Sequence, residues 1–307
     1  MSDATDSVYP FRGPSALQRF AVLVAAILPL LATAFAIVLL WGVGVDWLSI
    51  GLFFAFWGIS GLGISVGYHR MLTHGAFQAR PVARAVLLIM GTMALQGPPG
   101  MWAATHRRHH AKADREGDPH SPLEGLFHAH FGWMVKGRFV EDGPAYDQIM
   151  RDPVVRWVQK TQLIWIVAGF VLPGLIAFAA TGTWMGLMLG VLWGGAARVF
   201  IMHHMTWAVN SIGHAMGTRP YKSPDVSRNN GILALFSFGE GWHNNHHAFP
   251  DSAWIGHRWY QIDLGRYMIA VLRAFRLVSH LRVPTKAEMK ARLRRFATPA
   301  KQEQAAA

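Results

Sequence analysis

The chain has 307 residues, of which 52% are hydrophobic and only 15% are Asp, Glu, Lys or Arg, against roughly 25% charged in soluble domains, a balance that excludes disorder and an ordinary soluble enzyme. Cysteine is absent, which excludes a disulfide scaffold, a thiolate metal site, an iron–sulfur cluster and a cysteine nucleophile. The net charge is +12 and there are 16 histidines, a residue that binds metals and carries protons.

No charged residue lies between Arg19 and Asp46, between Asp46 and Arg70, or between Lys160 and Arg198. A membrane-spanning helix needs about 20 apolar residues. The first two runs predict one span each, about 20–41 and 47–68, joined by a hairpin at Gly42-Val43-Gly44-Val45-Asp46. The third run is too long for one helix and is broken at Thr181-Gly182-Thr183, so it predicts two spans, about 161–180 and 184–207. A cleaved secretory signal competes for the first run, with Arg12 and Arg19 ahead of it and Ala32-Thr33-Ala34 within it. Its apolar core is longer than a signal core, and a second span follows at once. In the second run Gly61, Gly63 and Gly67 lack the preceding strand of a dinucleotide fingerprint. Gly63 and Gly67 instead form a GxxxG pair suited to close helix packing. The stretch 85–97 is uncharged but too short to span, and is expected along the membrane surface.

All 29 Lys and Arg lie outside 20–69 and 161–197, so the positive-inside rule predicts a cytoplasmic N-terminus, centre and C-terminus in a multi-pass protein of the cytoplasmic membrane. Attraction to anionic lipid headgroups explains the net charge. A nucleic-acid reading of clusters such as Arg292, Arg294 and Arg295 has no recognisable binding module beside it. Beyond the last span, Tyr267, Met268, Val271, Leu272 and Phe275 recur at helical spacing among arginines, as in a surface helix with a solvated basic face. Pro284 ends it, Thr285 and Glu288 predict a capping box for a last short helix, and Lys301–Ala307 is expected to be disordered. The expected organisation is a cytoplasmic N-terminus over 1–19, a membrane domain over 20–280 with a cap formed by 69–160 and 208–280, and a basic tail over 281–307.

The histidines are clustered as a pair, His69 and His74, and two triplets, His106-x-x-His109-His110 and His243-x-x-His246-His247. On a helix, residues three and four apart share a face, so each triplet is expected to aim three imidazoles at one point. The pair is spaced i, i+5, about 140° apart on an ideal α-helix, and is expected to straddle a helix end and approach different metal ions. His214, past the last span on the same side, can join them. His128, His130, His204, His257 and His280 are read as packed or hydrogen-bonded residues, and His120 and His203 also stay outside the ligand set. Nine imidazoles suffice for two ions with four or five nitrogens each, and imidazole suits zinc, copper, iron and nickel alike.

His69 to His74, HRRHH at 106–110 with DPH at 118–120, TWAVNSIGH at 206–214 and GEGWHNNHHAFP at 239–250 are similar to the histidine boxes of membrane fatty acyl desaturases, in the Δ9, stearoyl-CoA desaturase-like branch that includes bacterial forms. The resemblance covers about 50–290. It implies an all-α membrane protein with four spans in two hairpins and a cytoplasmic helical cap around a di-iron centre. It carries the ligand set over onto His69, His74, His106, His109, His110, His214, His243, His246 and His247, with Asn210 reaching one iron through a water. The implied reaction removes two hydrogens from neighbouring methylenes, with O2 reduced to water and two electrons supplied from outside. An unactivated C–H bond offers no proton for a side chain to abstract, so the oxidant must come from the metals. Regioselectivity must then come from a shaped apolar tunnel, whose bend is implied at Gln96, Trp102 and Thr206.

The motif HRMLTHGAF and the short N-terminus are closer to bacterial and cyanobacterial relatives, some of which act on lipid-bound acyl groups, so acyl-CoA and acyl-lipid substrates both stay open. With no fused haem or flavin module, the implied electron donor is a separate ferredoxin, cytochrome b5-like protein or flavin reductase docking on the basic face. A di-iron alkane or acyl hydroxylase is the alternative within the same superfamily. Structural zinc binding is another alternative. A metal transporter would need ionisable groups inside the spans, and the spans are expected to contain none.

Overall fold

Four long apolar helices form a stem in the computed structural model, which describes residues 11, 13–43 and 46–294, without the side chains of 40–43. Gly44 and Val45 of the expected hairpin, Arg12, Arg295 and the expected disordered tail 301–307 lie outside the described residues. The stem helices are α1 (Ala16–Val43), α2 (Trp47–Thr73), α5 (Gln162–Thr181) and α6 (Trp184–Ala215), with α3 (Pro81–Thr92) and α4 (Pro99–Lys112) between the two pairs. Mean hydropathy divides the stem: 2.8 in α1 and 2.4 in α5, against 1.7 in α2 and 1.6 in α6. The more apolar pair is also the more exposed one, as lipid-facing helices must be, and the less apolar pair is withdrawn into the protein. Those two inner helices carry His69 and His214, and His74 follows directly on α2.

Both inner helices run further than the apolar runs that predicted them, to Thr73 and Ala215 instead of about 68 and 207. Their extensions are buried within protein, so polar side chains can continue the helix. Each inner helix contains a π-helical stretch, Gly63–Thr73 in α2 and Val191–Ala197 in α6. The break between α5 and α6 falls where the sequence places it: Gly182 takes φ 68° beyond the end of α5, and the Thr183 side chain accepts from the Gly186 N–H to start α6.

The uncharged stretch 85–97 forms most of α3 and the turn after it, with Leu87 and Leu88 buried in the protein and Val86 exposed. Helix α3 runs antiparallel to α2, and the Gly63–Gly67 pair explains the contact: a Cβ on Gly63 would sit 2.1 Å from Gly91 N, and one on Gly67 2.6 Å from the Leu87 carbonyl oxygen. Bare backbones therefore touch, burying Leu87 and Leu88.

The expectation that the spans hold no ionisable group is corrected by Arg198, fully buried within α6. Its guanidinium donates to the carbonyls of Gly194, Met93 and Gly169. Backbone oxygens just past the end of α3, in the π-helical stretch and in α5, where Pro173 has no N–H to offer Gly169 O, thus satisfy a charge that has no carboxylate partner among the described residues. Arg70, near the end of α2, is also buried, with Asp263 accepting at 2.8 and 3.0 Å and Glu240 at 3.3 Å.

The remainder forms a cap at one end of the stem. It contains α4, the six-residue helix α7 (His243–Ala248), α8 (Leu264–Ala274) and α9 (Lys286–Arg292), whose Thr285–Glu288 capping box is formed. A two-stranded antiparallel ladder, β1 (Gln78–Ala79) with β2 (Val278–Ser279), ties the start of α3 to the chain after α8. The apolar residues of α8 divide: Met268 and Leu272 join the core, whereas Tyr267, Val271 and Phe275 are exposed, so this is not a helix with only a solvated basic face.

Candidate metal centre

Four segments bring imidazoles to the junction of stem and cap, and the local helix geometry decides where each points. In α2, the wide turns of the π-helical stretch end with the His74 N–H donating to the His69 carbonyl, an i, i+5 bond of 3.2 Å. That winding brings residues five apart onto one face. The His69 and His74 rings lie 4.8 Å apart in the same group, which corrects the expectation that they approach different ions.

The triplets are corrected in a related way. His106 and His110, four apart on α4, have ring centres 4.7 Å apart, and His243 and His247, four apart on α7, 4.4 Å. The i+3 member of each diverges: His109 is 5.7 Å from His106, and His246 is 6.0 Å from His243. An α-helix turns about 100° per residue, so positions i+3 and i+4 fall on opposite sides of position i. Each triplet therefore serves two groups. One group is His69, His74, His106, His110 and His246; the other is His109, His214, His243 and His247. All nine expected imidazoles are present, five in one group and four in the other, and within each group one nitrogen per ring lies within 4.8 Å of the rest.

The orientation of the rings fits a bound cation. Asp118 accepts from His109 Nδ1 at 2.9 Å, Asp114 from His214 Nδ1 at 3.0 Å and Asp225 from His247 Nδ1 at 2.7 Å, while Glu240 lies 2.6 Å from His69 Nδ1. A neutral imidazole has one N–H, so a carboxylate at Nδ1 leaves Nε2 as a bare lone pair. The Nε2 atoms of His109 and His247, both anchored in this way, face each other at 3.3 Å, while those of His69 and His214 lie 3.0 Å from the Nε2 atoms of His246 and His243. His74 Nε2 is buried with no protein partner. Lone pairs converging at such distances repel unless a positive charge lies among them, so both groups could hold metal ions.

The electrostatics agree. Burial, then the neighbouring imidazoles, pushes His106, His110, His243, His246 and His247 well below the ordinary histidine value, and the same causes act on His74 with Arg107. These rings stay neutral, as ligands must. Burial pushes the Asp118 carboxyl up, but its charge and hydrogen-bond coupling to His109 outweigh burial and hold it below the usual carboxylate range. For Glu240, burial is likewise outweighed by His69 and Arg70.

The sequence reading missed the four carboxylates. Asp118 lies in the DPH motif and Glu240 in GEGWH, but nothing in spacing marks Asp114 or Asp225 as partners. It also missed the two asparagines of HNNHH. Asn245 bonds Ile255 O, Gln261 and Asn229, and Asn244 pairs with the Tyr221 backbone, so both are buried fasteners that seat α7. His120 is closer to the site than expected, its ring 4.2 Å from that of His109. His203 Nε2 donates to the carbonyl oxygens of Ala94 and Leu95, 3.0 Å from each, and His128 Nε2 donates to Pro119 O at 3.2 Å.

A cavity of about 500 Å³ reaches the centre, its wall including His69, His106, His243 and Asn210. Gln96, Trp102 and Thr206 meet on the same wall: Gln96 Nε2 donates to Thr206 Oγ1 at 2.8 Å and Trp102 Nε1 to Gln96 Oε1 at 3.4 Å. Much of the remaining lining is apolar, with Ile64, Leu95, Met101 and Met202 from the protein interior and Val22 and Ala25 from α1.

Comparison with known proteins places this geometry in a family. A family profile described as "Fatty acid desaturase" matches residues 45–278. The chain is 39% identical over 281 residues to a protein of Moorena producens named hex-5-enoyl-acyl-carrier-protein acetylenase, covering 88% of each. It is 37% identical to "Delta-9 acyl-lipid desaturase 2" of Arabidopsis thaliana, over 79% of this chain and 77% of that one. It is 36% identical to "sn-1 stearoyl-lipid 9-desaturase" of Anabaena variabilis, over 78% of this chain and 86% of that one. These names describe desaturation or acetylenation, and none describes the hydroxylase alternative. Together with four apolar helices and two histidine groups able to hold metal, they establish that the chain belongs to the fatty acid desaturase family, as a membrane oxidoreductase acting on fatty acyl chains.

Proposed function

We propose that the protein introduces a cis double bond at the Δ9 position of a saturated acyl chain, using O2, with two iron ions held by His69, His74, His106, His110 and His246 on one side and by His109, His214, His243 and His247 on the other. Asn210, one turn before His214 on α6, reaches one ion through a water. The observation that carries this reading is the opening of an apolar cavity onto two inward-facing sets of imidazole nitrogens. Bound iron supplies the oxidation of unactivated C–H bonds and the reduction of O2, which no side chain here can perform.

The remaining work falls to the chain's own residues. The acyl chain loses two hydrogens from adjacent methylenes; O2, two external electrons and two protons complete two waters. A methylene chain has no polar mark, so the apolar walls fix which pair of carbons stops beside the histidines. Gln96, Thr206 and Trp102 satisfy one another's polar groups, giving a rigid corner that an acyl chain can bend around without leaving a buried donor unpaired. Asp114, Asp118, Asp225 and Glu240 hold their imidazoles in the tautomer that presents Nε2.

In this reading the cap and both termini face the cytoplasm, and the protein resides in the cytoplasmic membrane, where the distribution of Lys and Arg favours that orientation. Electrons come from a separate ferredoxin, cytochrome b5-like protein or flavin reductase. The substrate is an acyl-CoA or an acyl-lipid; names of relatives support both, with "Icosanoyl-CoA 5-desaturase" of Limnanthes douglasii for the first and the Anabaena protein for the second. The deciding experiment supplies purified protein and a reducing donor with stearoyl-CoA, a stearoyl phospholipid or stearoyl-acyl carrier protein, and locates the product double bond by mass spectrometry. A Δ9 alkene from one carrier supports the reading and names the carrier. An alcohol, a double bond elsewhere, or no product from all three contradicts it.

A further inference from the structure

Away from the histidines, the β1–β2 ladder draws three arginines together. The Arg80 N–H donates to Leu277 O at 2.9 Å, which sets the start of α3 beside the chain leaving α8. Arg80, Arg273 and Arg276, with His280, then line one concavity of about 660 Å³, and no acidic residue takes part in its wall. Among the described residues no carboxylate pairs with any of the three, although nearby cations are paired: Arg84 with Asp152, Arg282 with Asp251. Arg276 and His280 hold left-handed backbone, φ 56° and 52°, a conformation that costs a residue bearing a side chain and that the surrounding ladder enforces.

The flanks of this concavity are apolar and uncovered. On α3, Val82 and Val86 are exposed one turn apart, immediately after Arg80. On α8, Tyr267, Val271 and Phe275 form an exposed stripe with four-residue spacing, ending beside Arg276. Both helices pack on α2, and α3 also packs on α5, so the α3 flank adjoins a lipid-facing helix of the stem. A cationic concavity between two apolar stripes matches an amphiphile with a negative head. A free anion in water would use the arginines but not the stripes.

We infer that this concavity binds the phosphate of an anionic phospholipid, with Arg80, Arg273 and Arg276 engaging the headgroup and the acyl chains lying over Val82, Val86, Val271 and Phe275. Guanidinium groups suit the task because they present forked donors that match phosphate oxygens. The inference is independent of the desaturation chemistry, and it makes the cap a lipid-reading surface as well as a catalytic one.

The test uses the full chain in a neutral detergent, with retention of dioleoyl phosphatidylglycerol and dioleoyl phosphatidylcholine compared by native mass spectrometry. The variant R80Q/R273Q/R276Q is expected to bind phosphatidylglycerol at least about tenfold more weakly while its weak phosphatidylcholine binding is unchanged. Replacement of all three by lysine, which keeps the charge and loses the forked donors, is expected to restore part of the binding, and millimolar inorganic phosphate is not expected to displace the lipid. Unchanged phosphatidylglycerol retention in the glutamine variant overturns the proposal, and so does displacement by inorganic phosphate, which identifies a free-anion site. Thermal melting in phosphatidylcholine checks folding; if the triple variant fails to fold, R273Q and R276Q singly carry the same readout, each weakening retention about threefold or more.

Discussion

His109 Nδ1 lies 2.9 Å from Asp118 Oδ1, with both side chains wholly withdrawn from solvent. The carboxylate fixes which imidazole nitrogen carries the proton, and the other nitrogen faces His247 Nε2 at 3.3 Å. Asp118→Asn keeps the shape but offers an amide that can donate where the carboxylate only accepts, so the tautomer is no longer enforced. Loss of such an oriented partner weakens metal affinity about 10- to 100-fold. Titration of the metal-depleted variant with Fe(II) is expected to show that loss, and an affinity equal to the parent's would count against the carboxylate's role.

Arg70 and Asp263 form a buried ion pair in which Asp263 also accepts from the backbone N–H groups of Ile255, Gly256 and Arg266. The pair joins the end of α2 to the start of α8 and, through Glu240, reaches His69. Removing one partner strands a buried charge, at about 3–5 kcal/mol. Arg70→Met is therefore expected to lower the melting temperature sharply, and R70M/D263L to recover part of the loss. A single variant as stable as the parent would show that the pair carries little.

Gly63→Ala forces apart the backbones of α2 and α3, because its new Cβ meets Gly91 N at 2.1 Å, whereas a Cβ on Gly58 meets nothing within 4 Å. Overpacking of this kind costs about 1–3 kcal/mol, while Gly58→Ala is expected to be neutral or slightly stabilising, as Ala favours helix over Gly. Comparing the two melting curves checks the contact, and equal effects would refute it.

How far the sequence foretold the molecule depended on the physical signal involved. Uncharged runs marked all four candidate spans, since a bilayer admits few charges, and the Gly63–Gly67 pair marked a real helix contact. The nine histidines were legible because two triplets and a pair are improbable as packing residues. Their allotment was not: it depends on a π-helical turn after His69 and on the 100° difference between the i+3 and i+4 positions, which place His74 beside His69 and send His109 and His246 away from their own triplets. Asp114 and Asp225 had no local mark because they reach their histidines across about a hundred residues and about twenty residues of chain, respectively. Arg198 escaped notice because it stands at the edge of an uncharged run that the helix simply continues through.

Acidification should destabilise the metal-depleted protein. The unfolded chain takes up protons as pH falls through about 6.5, but burial holds His74, His106, His110, His243, His246 and His247 well below their ordinary value in the fold. The unfolded state then binds more protons, so stability falls with pH below about 6.5 and these groups leave it unchanged well above that. His109 acts in the opposite sense: burial lowers its value, Asp118 outweighs that and raises it, so its contribution is present at low pH and lost as pH rises. It is one group against six. Thermal melts of the metal-depleted protein are expected to be level from about pH 7.5 to 8.5 and to fall from pH 6.5 to 5; a melting temperature that rises on acidification would contradict the burial of neutral imidazoles.

The most direct measurement is the metal content of the full chain purified from iron-replete cells, read by inductively coupled plasma mass spectrometry alongside desaturation of the same sample. Two irons per chain, with His109→Ala and His246→Ala each lowering both iron and turnover, is the expected result. One ion per chain, or zinc filling both groups in a sample that still forms the double bond, would contradict a two-iron centre built from these imidazoles.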